Sequence, residues 1–138
     1  MIQLLLVEDN PDDEALFRRA VKSRQLDAVV QVAKDGQEAV EMLGIDDLPL
    51  PVDLPHAIIL DLKLPKLSGH EVLERLRSHE GSAHIPVLIL SSSDEPTDVK
   101  VGEKLGAQYV RKPVDYDEFL SQVGEALEQL VIRLDQFC

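Results

Sequence analysis

The sequence predicts a doubly wound α/β domain, five parallel strands with helices on both faces, and three observations predict it. Five short apolar runs, 2–7, 28–33, 57–60, 87–90 and 107–110, are rich in Val, Ile and Leu and interrupted by no more than one Gln. Two of them, 2–7 and 57–60, have the pattern of strands buried on both faces. Amphipathic stretches opened by capping residues separate the runs, so strand and helix alternate along the chain. Finally, four runs end in groups that carry chemistry: Glu8 and Asp9, Asp61, Ser91, and Arg111 with Lys112. In open α/β sheets that carboxyl edge is where ligands bind.

Taken in order, Ile2 to Val7 is the first strand. Asn10 then caps a helix with Pro11 at its first position, acids Asp12, Asp13 and Glu14 in its first turn, and an apolar face of Leu16, Phe17, Ala20 and Val21. Ala28 to Ala33 is the second strand, and Asp35 with Glu38 opens a short helix holding Ala39, Val40 and Leu43. Residues 44–55, with three prolines and three aspartates, form an inserted surface loop. Ala57 to Leu60 is the third strand. Pro65 and Gly69 turn the chain away from it, and Ser68 with Glu71 forms a capping box for a helix reaching about Arg77. Because Ser68 already caps that helix, Asp61 is free for another task.

Pro86 opens the fourth strand, Val87 to Leu90, which delivers Ser91, Ser92 and Ser93 to its carboxyl end. A weakly amphipathic helix from Pro96 to Leu105 is closed by Gly106. Ala107 to Val110 is the fifth strand. The last helix starts at the capping box Asp115 to Glu118 and places Phe119, Val123, Leu127, Leu130 and Leu134 on one stripe. Five such units predict a flavodoxin-like (βα)5 fold of strand order 2-1-3-4-5, with the first and third strands adjacent at the switch point. The expected organisation is one domain over 1–138, with residues 131–138 as a C-terminal tail.

The chain has 138 residues, 44% of them hydrophobic, which suits a single domain with its own core. No apolar run nears the roughly 20 residues that span a bilayer, and Met1, Ile2 and Gln3 lack the basic flank of a signal peptide, so a cytoplasmic protein without a membrane partner is expected. A formal charge of −12 repels phosphate backbones and argues against direct nucleic-acid binding, leaving proteins or cations as partners. The single cysteine, Cys138, excludes an internal disulfide and a cysteine metal site.

With adjacent first and third strands, Glu8, Asp9 and Asp61 become neighbours. Three carboxylates repel one another unless a cation sits among them, and all-oxygen ligation suits Mg2+. The metal is then held by Asp9, Asp61 and the backbone carbonyl of Lys63, with Glu8 acting directly or through water. The Ser91 hydroxyl and the Lys112 ammonium complete a receptacle for a phosphoryl group, with Asp61 as nucleophile.

Glu8-Asp9 after an apolar strand, Asp61 followed by Leu64-Pro65 and Gly69, Ser91 after the fourth strand, and Lys112-Pro113 together resemble the CheY-like receiver domain of two-component response regulators. The resemblance covers nearly the whole chain. It implies that a histidine kinase presents a phosphohistidine, that Asp61 takes the phosphoryl group with Mg2+, and that the acyl phosphate later hydrolyses. It also implies Tyr109 as the aromatic switch residue responding to Ser91, and Lys63 and Ser93 as positions that tune hydrolysis. Such a domain is a phosphoacceptor with slow self-catalysed phosphotransfer and dephosphorylation, not a turnover enzyme.

With no effector domain expected, output passes to a downstream protein target or through self-association. The 44–55 loop and the C-terminal extension carry a weaker resemblance to single-domain regulators partnered with phytochrome kinases, which implies a bacteriophytochrome-type kinase and a homodimer through the last helix and tail. Apolar Leu130, Val131, Ile132, Leu134 and Phe137 agree with the dimer. Two alternatives stay open at this level. A phosphatase of the haloacid dehalogenase type also uses a strand-end Asp, but has a second Asp where this chain has Lys63. A pseudo-receiver would share the fold and bind partners without taking phosphate.

Overall fold

A computed structural model describes residues 1–45, 54–92 and 95–136. Most of the loop read at 44–55, together with Ser93, Phe137 and Cys138, lies outside the described residues. The elements are β1 (Ile2–Val7), α1 (Pro11–Ser23), β2 (Ala28–Ala33), α2 (Gly36–Met42), β3 (Ala57–Leu60), α3 (Gly69–Ser78), β4 (Val87–Ser91), α4 (Pro96–Lys104), β5 (Gln108–Arg111) and α5 (Tyr116–Asp135). The strands form one parallel sheet in the order β2-β1-β3-β4-β5, as expected.

Two apolar layers sandwich the sheet, and strand alternation divides the side chains between them. Leu5, Val7, Ile58, Leu60 and Ile89 point to α2 and α3, where they meet Val40, Leu43, Val72, Leu73 and Leu76. Leu4, Leu6, Ile59, Leu88 and Leu90 point the other way, to Phe17 and Val21 of α1 and Phe119, Val123 and Leu127 of α5. β1, β3 and β4 are therefore buried almost throughout, whereas β2 and β5 at the sheet edges expose alternate or terminal residues.

Local sequence sets the helix starts. Oxygens of Asn10, Asp35, Ser68 and Asp115 accept from the backbone N–H of Asp12, Glu38, Glu71 and Glu118 at 2.8, 2.7, 3.3 and 3.0 Å. α4 differs: Glu95 at its N-cap makes no side-chain capping bond, and Gly102 is its one buried residue among those described. Gly106 adopts φ +74°, and Ala107 N–H closes α4 on the Gly102 carbonyl at 2.8 Å. That closure moves β5 one residue later than its apolar run suggested. β4 likewise extends to Ser91, and residues 131–135 continue α5.

Gly69 lets α3 start directly against the chain leaving β3. A Cβ at Gly69 would collide with the Asp61 carbonyl and lie 2.6 Å from Leu62 Cα, both backbone groups that cannot swing aside. Gly69→Ala is expected to cost about 2 to 3 kcal/mol of stability, read by urea unfolding, because overpacking here must shift a strand end.

Candidate functional site

The sheet register builds the site. Val7 pairs with Leu60, so the chain emerging from β1 presents Glu8 beside Asp61 emerging from β3. Backbone bonds continue past the strand ends: Asp61 N–H donates to the Val7 carbonyl at 3.2 Å and Glu8 N–H to the Ala33 carbonyl at 2.9 Å. Across the sheet, Ser91 pairs with Arg111, and Lys112 N–H donates to the Ser91 carbonyl at 2.7 Å. Four strand tips thus deliver Glu8, Asp9, Asp61, Ser91 and Lys112 to one edge.

Lys112 sits at the centre. Its Nζ donates to Glu8 Oε1 at 2.8 Å, Asp13 Oδ2 at 2.9 Å and Asp61 Oδ2 at 3.2 Å. Three ammonium protons therefore meet three carboxylates, which is the full donor capacity of a lysine. Burial opposes the Lys112 charge, but the hydrogen bonds to Glu8 and Asp13 and the Asp61 charge outweigh it and push its pKa up. The other Asp61 oxygen, Oδ1, accepts from Lys63 N–H at 3.1 Å, which fixes the carboxylate plane. Asp61 is 8% exposed and Ser91 is fully buried, so the acceptor candidate lies at the floor of the site rather than on its rim.

Glu8, Asp9 and Asp61 each bring a carboxylate oxygen within 4.8 Å of the other two. Glu8 and Asp61 are buried, Asp9 is exposed, and one lysine cannot balance them all. Their all-oxygen donor set fits a hard divalent cation.

The strain of this cluster falls on Glu8. Burial pushes its carboxyl up to about 7, with the Lys112 hydrogen bond and charge pulling the other way and the Asp61 charge adding to the rise. Without divalent ions the native protein holds a proton that the unfolded chain has released, between the ordinary value of 4.5 and about 7. Stability is thus expected to fall as pH rises through this window, by about 3 kcal/mol for the whole titration. Urea midpoints between pH 5 and pH 8 check this, and Glu8→Gln should flatten the dependence.

The remaining expected residues are placed as follows. The Lys63 side chain is exposed, while its backbone N–H holds Asp61. Tyr109 is half-buried on β5 and packs against the α2–α3 core layer, near Gly102 of α4. Ser93, read as a rate-tuning position, lies outside the described residues.

Asp13, bonded to Lys112 at this edge, is the residue that sequence reasoning missed. It was read as a first-turn acid favoured by the helix terminus, an account that absorbs any such residue. The available signal was its offset: three residues past the cap Asn10, one turn into a helix starting beside Glu8, Asp13 stands at the same sheet edge.

A family model described as "Response regulator receiver domain" matches residues 4–124. The Mn(2+)-bound form of response regulator Rcp1 is 29% identical, covers 91% of each chain and superposes with a TM-score of 0.81. The phosphorylated cyanobacterial phytochrome response regulator RcpA is 30% identical, over 92% of this chain and 91% of that one, with a TM-score of 0.83. The bacteriophytochrome response regulator AtBRR is 38% identical, over 91% of this chain and 93% of that one, at 0.71. The chain spans half or less of the length of several curated relatives it matches, which carry a similar segment within larger proteins. No helix among the described residues is long and apolar enough to cross a membrane. Fold, strand-tip cluster and family match converge on one conclusion: the chain belongs to the response regulator receiver family, the phosphoacceptors of two-component signalling.

Proposed function

We propose that Asp61 is the phosphoacceptor of this receiver, with Ser91 and Lys112 receiving the phosphoryl oxygens. The observation that carries the reading is the Lys112 ammonium 3.2 Å from the Asp61 carboxylate, inside a ring of acids at the sheet edge. Receiver domains take phosphoryl groups from histidine kinases and act on downstream targets, and they are phosphoacceptors rather than turnover enzymes. Here an Asp61 oxygen attacks the phosphorus of a phosphohistidine. The P–N bond breaks with its electron pair going to the imidazole, which takes a proton. Lys112 stays beside the oxygen that gains charge, and the Ser91 hydroxyl donates to another. Water later attacks the same phosphorus and releases phosphate.

Glu8, Asp9, Asp61 and the backbone carbonyl of Lys63 are the residues that would hold a divalent ion, and Mg2+ suits their hard oxygens. When bound, the ion neutralises charge on the phosphoryl oxygens. The pull on Ser91 is the switch: it draws the following segment inward and lets Tyr109 turn into the vacated space. Moving such an equilibrium from 1:99 to 99:1 takes about 5.5 kcal/mol, which charge-assisted bonds to a phosphoryl group reach. Lys63, exposed at the rim, shields the acyl phosphate from water, with Ser93 as the second tuning position. Lys63→Ala is expected to shorten the phosphoryl half-life severalfold in a radiolabel chase.

The partners in this reading are a histidine kinase of the bacteriophytochrome type, which the phytochrome-associated relatives support, a downstream protein, and a second copy of this chain through α5; of the apolar residues expected there, Leu130 and Val131 are buried in the chain's own core, Leu134 packs against it, and Ile132 is half exposed. A cytoplasmic location suits that pathway. Incubation with acetyl phosphate and Mg2+, read by intact mass, tests the acceptor reading. One added HPO3 per chain is expected; no gain in mass would overturn it.

A further inference from the structure

We infer that Asp13 is a positioning residue that keeps the Lys112 ammonium aimed at the phosphoryl group throughout phosphotransfer, an inference resting on the acceptor role proposed for Asp61. Lys112 has three carboxylate partners, and they have different duties. Glu8 and Asp61 belong to the trio whose oxygens converge within 4.8 Å; Asp13 does not. Loading the site takes Glu8 and Asp61 away from Lys112, Glu8 to the cation and the Asp61 oxygen to phosphorus. Asp13 has no such second claim on it. It stands 2.9 Å from Nζ and is carried by the first turn of α1, which packs against α5 through Phe17 and Val21. Without that anchor the flexible four-carbon stem of Lys112 would be free to swing as its other two partners leave, and a misplacement of about 1 Å costs on the order of a hundredfold in rate.

The group transfer itself is balanced without Asp13. With acetyl phosphate, an Asp61 oxygen forms the new P–O bond and acetate leaves with the electron pair of the old one, so no proton moves and no base is called for. Asp13 therefore acts through Lys112 alone, by geometry. A simple charge effect would behave differently: removing an acid from a site that attracts a dianionic donor would lower the donor concentration needed and speed labelling.

The experiment measures labelling rate against acetyl phosphate concentration, at saturating Mg2+, for wild type, Asp13→Ala, Asp13→Asn and Asp13→Glu. The maximal rate is expected to fall about tenfold or more in Asp13→Ala with the half-saturating donor concentration unchanged. Asp13→Asn, which keeps an acceptor oxygen, should fall between, and Asp13→Glu should recover most of the rate. In parallel, the 15N-detected ammonium signal of Lys112, sharp when its protons are held, should persist in Mg2+-loaded wild type and Asp13→Asn and vanish in Asp13→Ala. Unchanged or faster labelling by Asp13→Ala, or equal losses in Asp13→Ala and Asp13→Asn, would overturn the inference. Failure of wild type to label at all would instead overturn the acceptor role of Asp61.

Discussion

Asp61→Asn is expected to abolish phosphoryl incorporation from acetyl phosphate while raising the urea midpoint of the metal-free protein. The loss of labelling follows because an amide oxygen is a poor nucleophile toward phosphorus and the other acids at this edge are committed elsewhere: Glu8 and Asp13 to Lys112, Asp9 to the exposed rim. The gain in stability follows from the charge balance. Asp61 has one attraction, to Lys112 at 3.2 Å, and repulsions from Glu8 and Asp9, whose oxygens lie within 4.8 Å. Two repulsions at that distance about match the one attraction at the shorter one when Glu8 is ionised half the time near pH 7, and exceed it when Glu8 is fully ionised. Burial of Asp61 adds a desolvation cost that the amide does not carry. Lys112 keeps Glu8 and Asp13, and the amide oxygen can still accept from Lys63 N–H. The net expected gain is about 1 kcal/mol, measured without divalent ions and shrinking when Mg2+ is added to wild type. A variant that still gains one HPO3 would remove Asp61 as acceptor; one less stable than wild type would remove the charge account.

The fold was legible because each strand announces itself locally and parallel order follows from alternation. Ile2–Val7 and Ala57–Leu60 have the bounds their apolar runs imply, since both lie inside the sheet, where burial on two faces leaves the exposed Gln3 as the one polar residue in either strand. β5 was harder to delimit. Its run ends at Val110, but as an edge strand it tolerates Arg111 as a ladder residue, so pairing and polarity part company there. Membership of the site was legible wherever a residue directly follows a strand, because strand ends converge by topology; Glu8, Asp9, Asp61, Ser91 and Lys112 are of this kind. Asp13 was not, because helix starts have their own local reason to be acidic and sequence alone does not separate that reason from a tertiary contact. Nor does spacing tell which acid Lys112 would choose; the structure answers that it chooses three.

That shared lysine carries the second large effect, since Lys112→Met removes the only side-chain cation bonded to Glu8, Asp13 and Asp61 among the described residues. Methionine keeps most of the length and apolar stem, so the change isolates the charge. Breaking a buried ion pair by deleting one partner costs about 3 to 5 kcal/mol, and here one deletion strands three carboxylates. Part of that cost is relieved when Glu8 takes a proton, so about 3 kcal/mol near pH 8 is expected, and less near pH 5. The pKa of Glu8, already about 7 with Lys112 pulling it down, should rise further, steepening the fall of stability with pH. Mg2+ should restore much of the loss, because a divalent ion among Glu8, Asp9 and Asp61 replaces the missing charge, and the variant should gain more from the ion than wild type does. Phosphorylation should not recover with it. The ion cannot stand where Nζ stands, and removing one preorganised donor to a developing oxyanion costs about a hundredfold to a thousandfold. Urea unfolding with and without Mg2+, beside acetyl phosphate labelling of the same samples, separates the two roles: stability rescued and labelling still slow would assign Lys112 to both, whereas labelling rescued in step with stability would reduce it to a counterion.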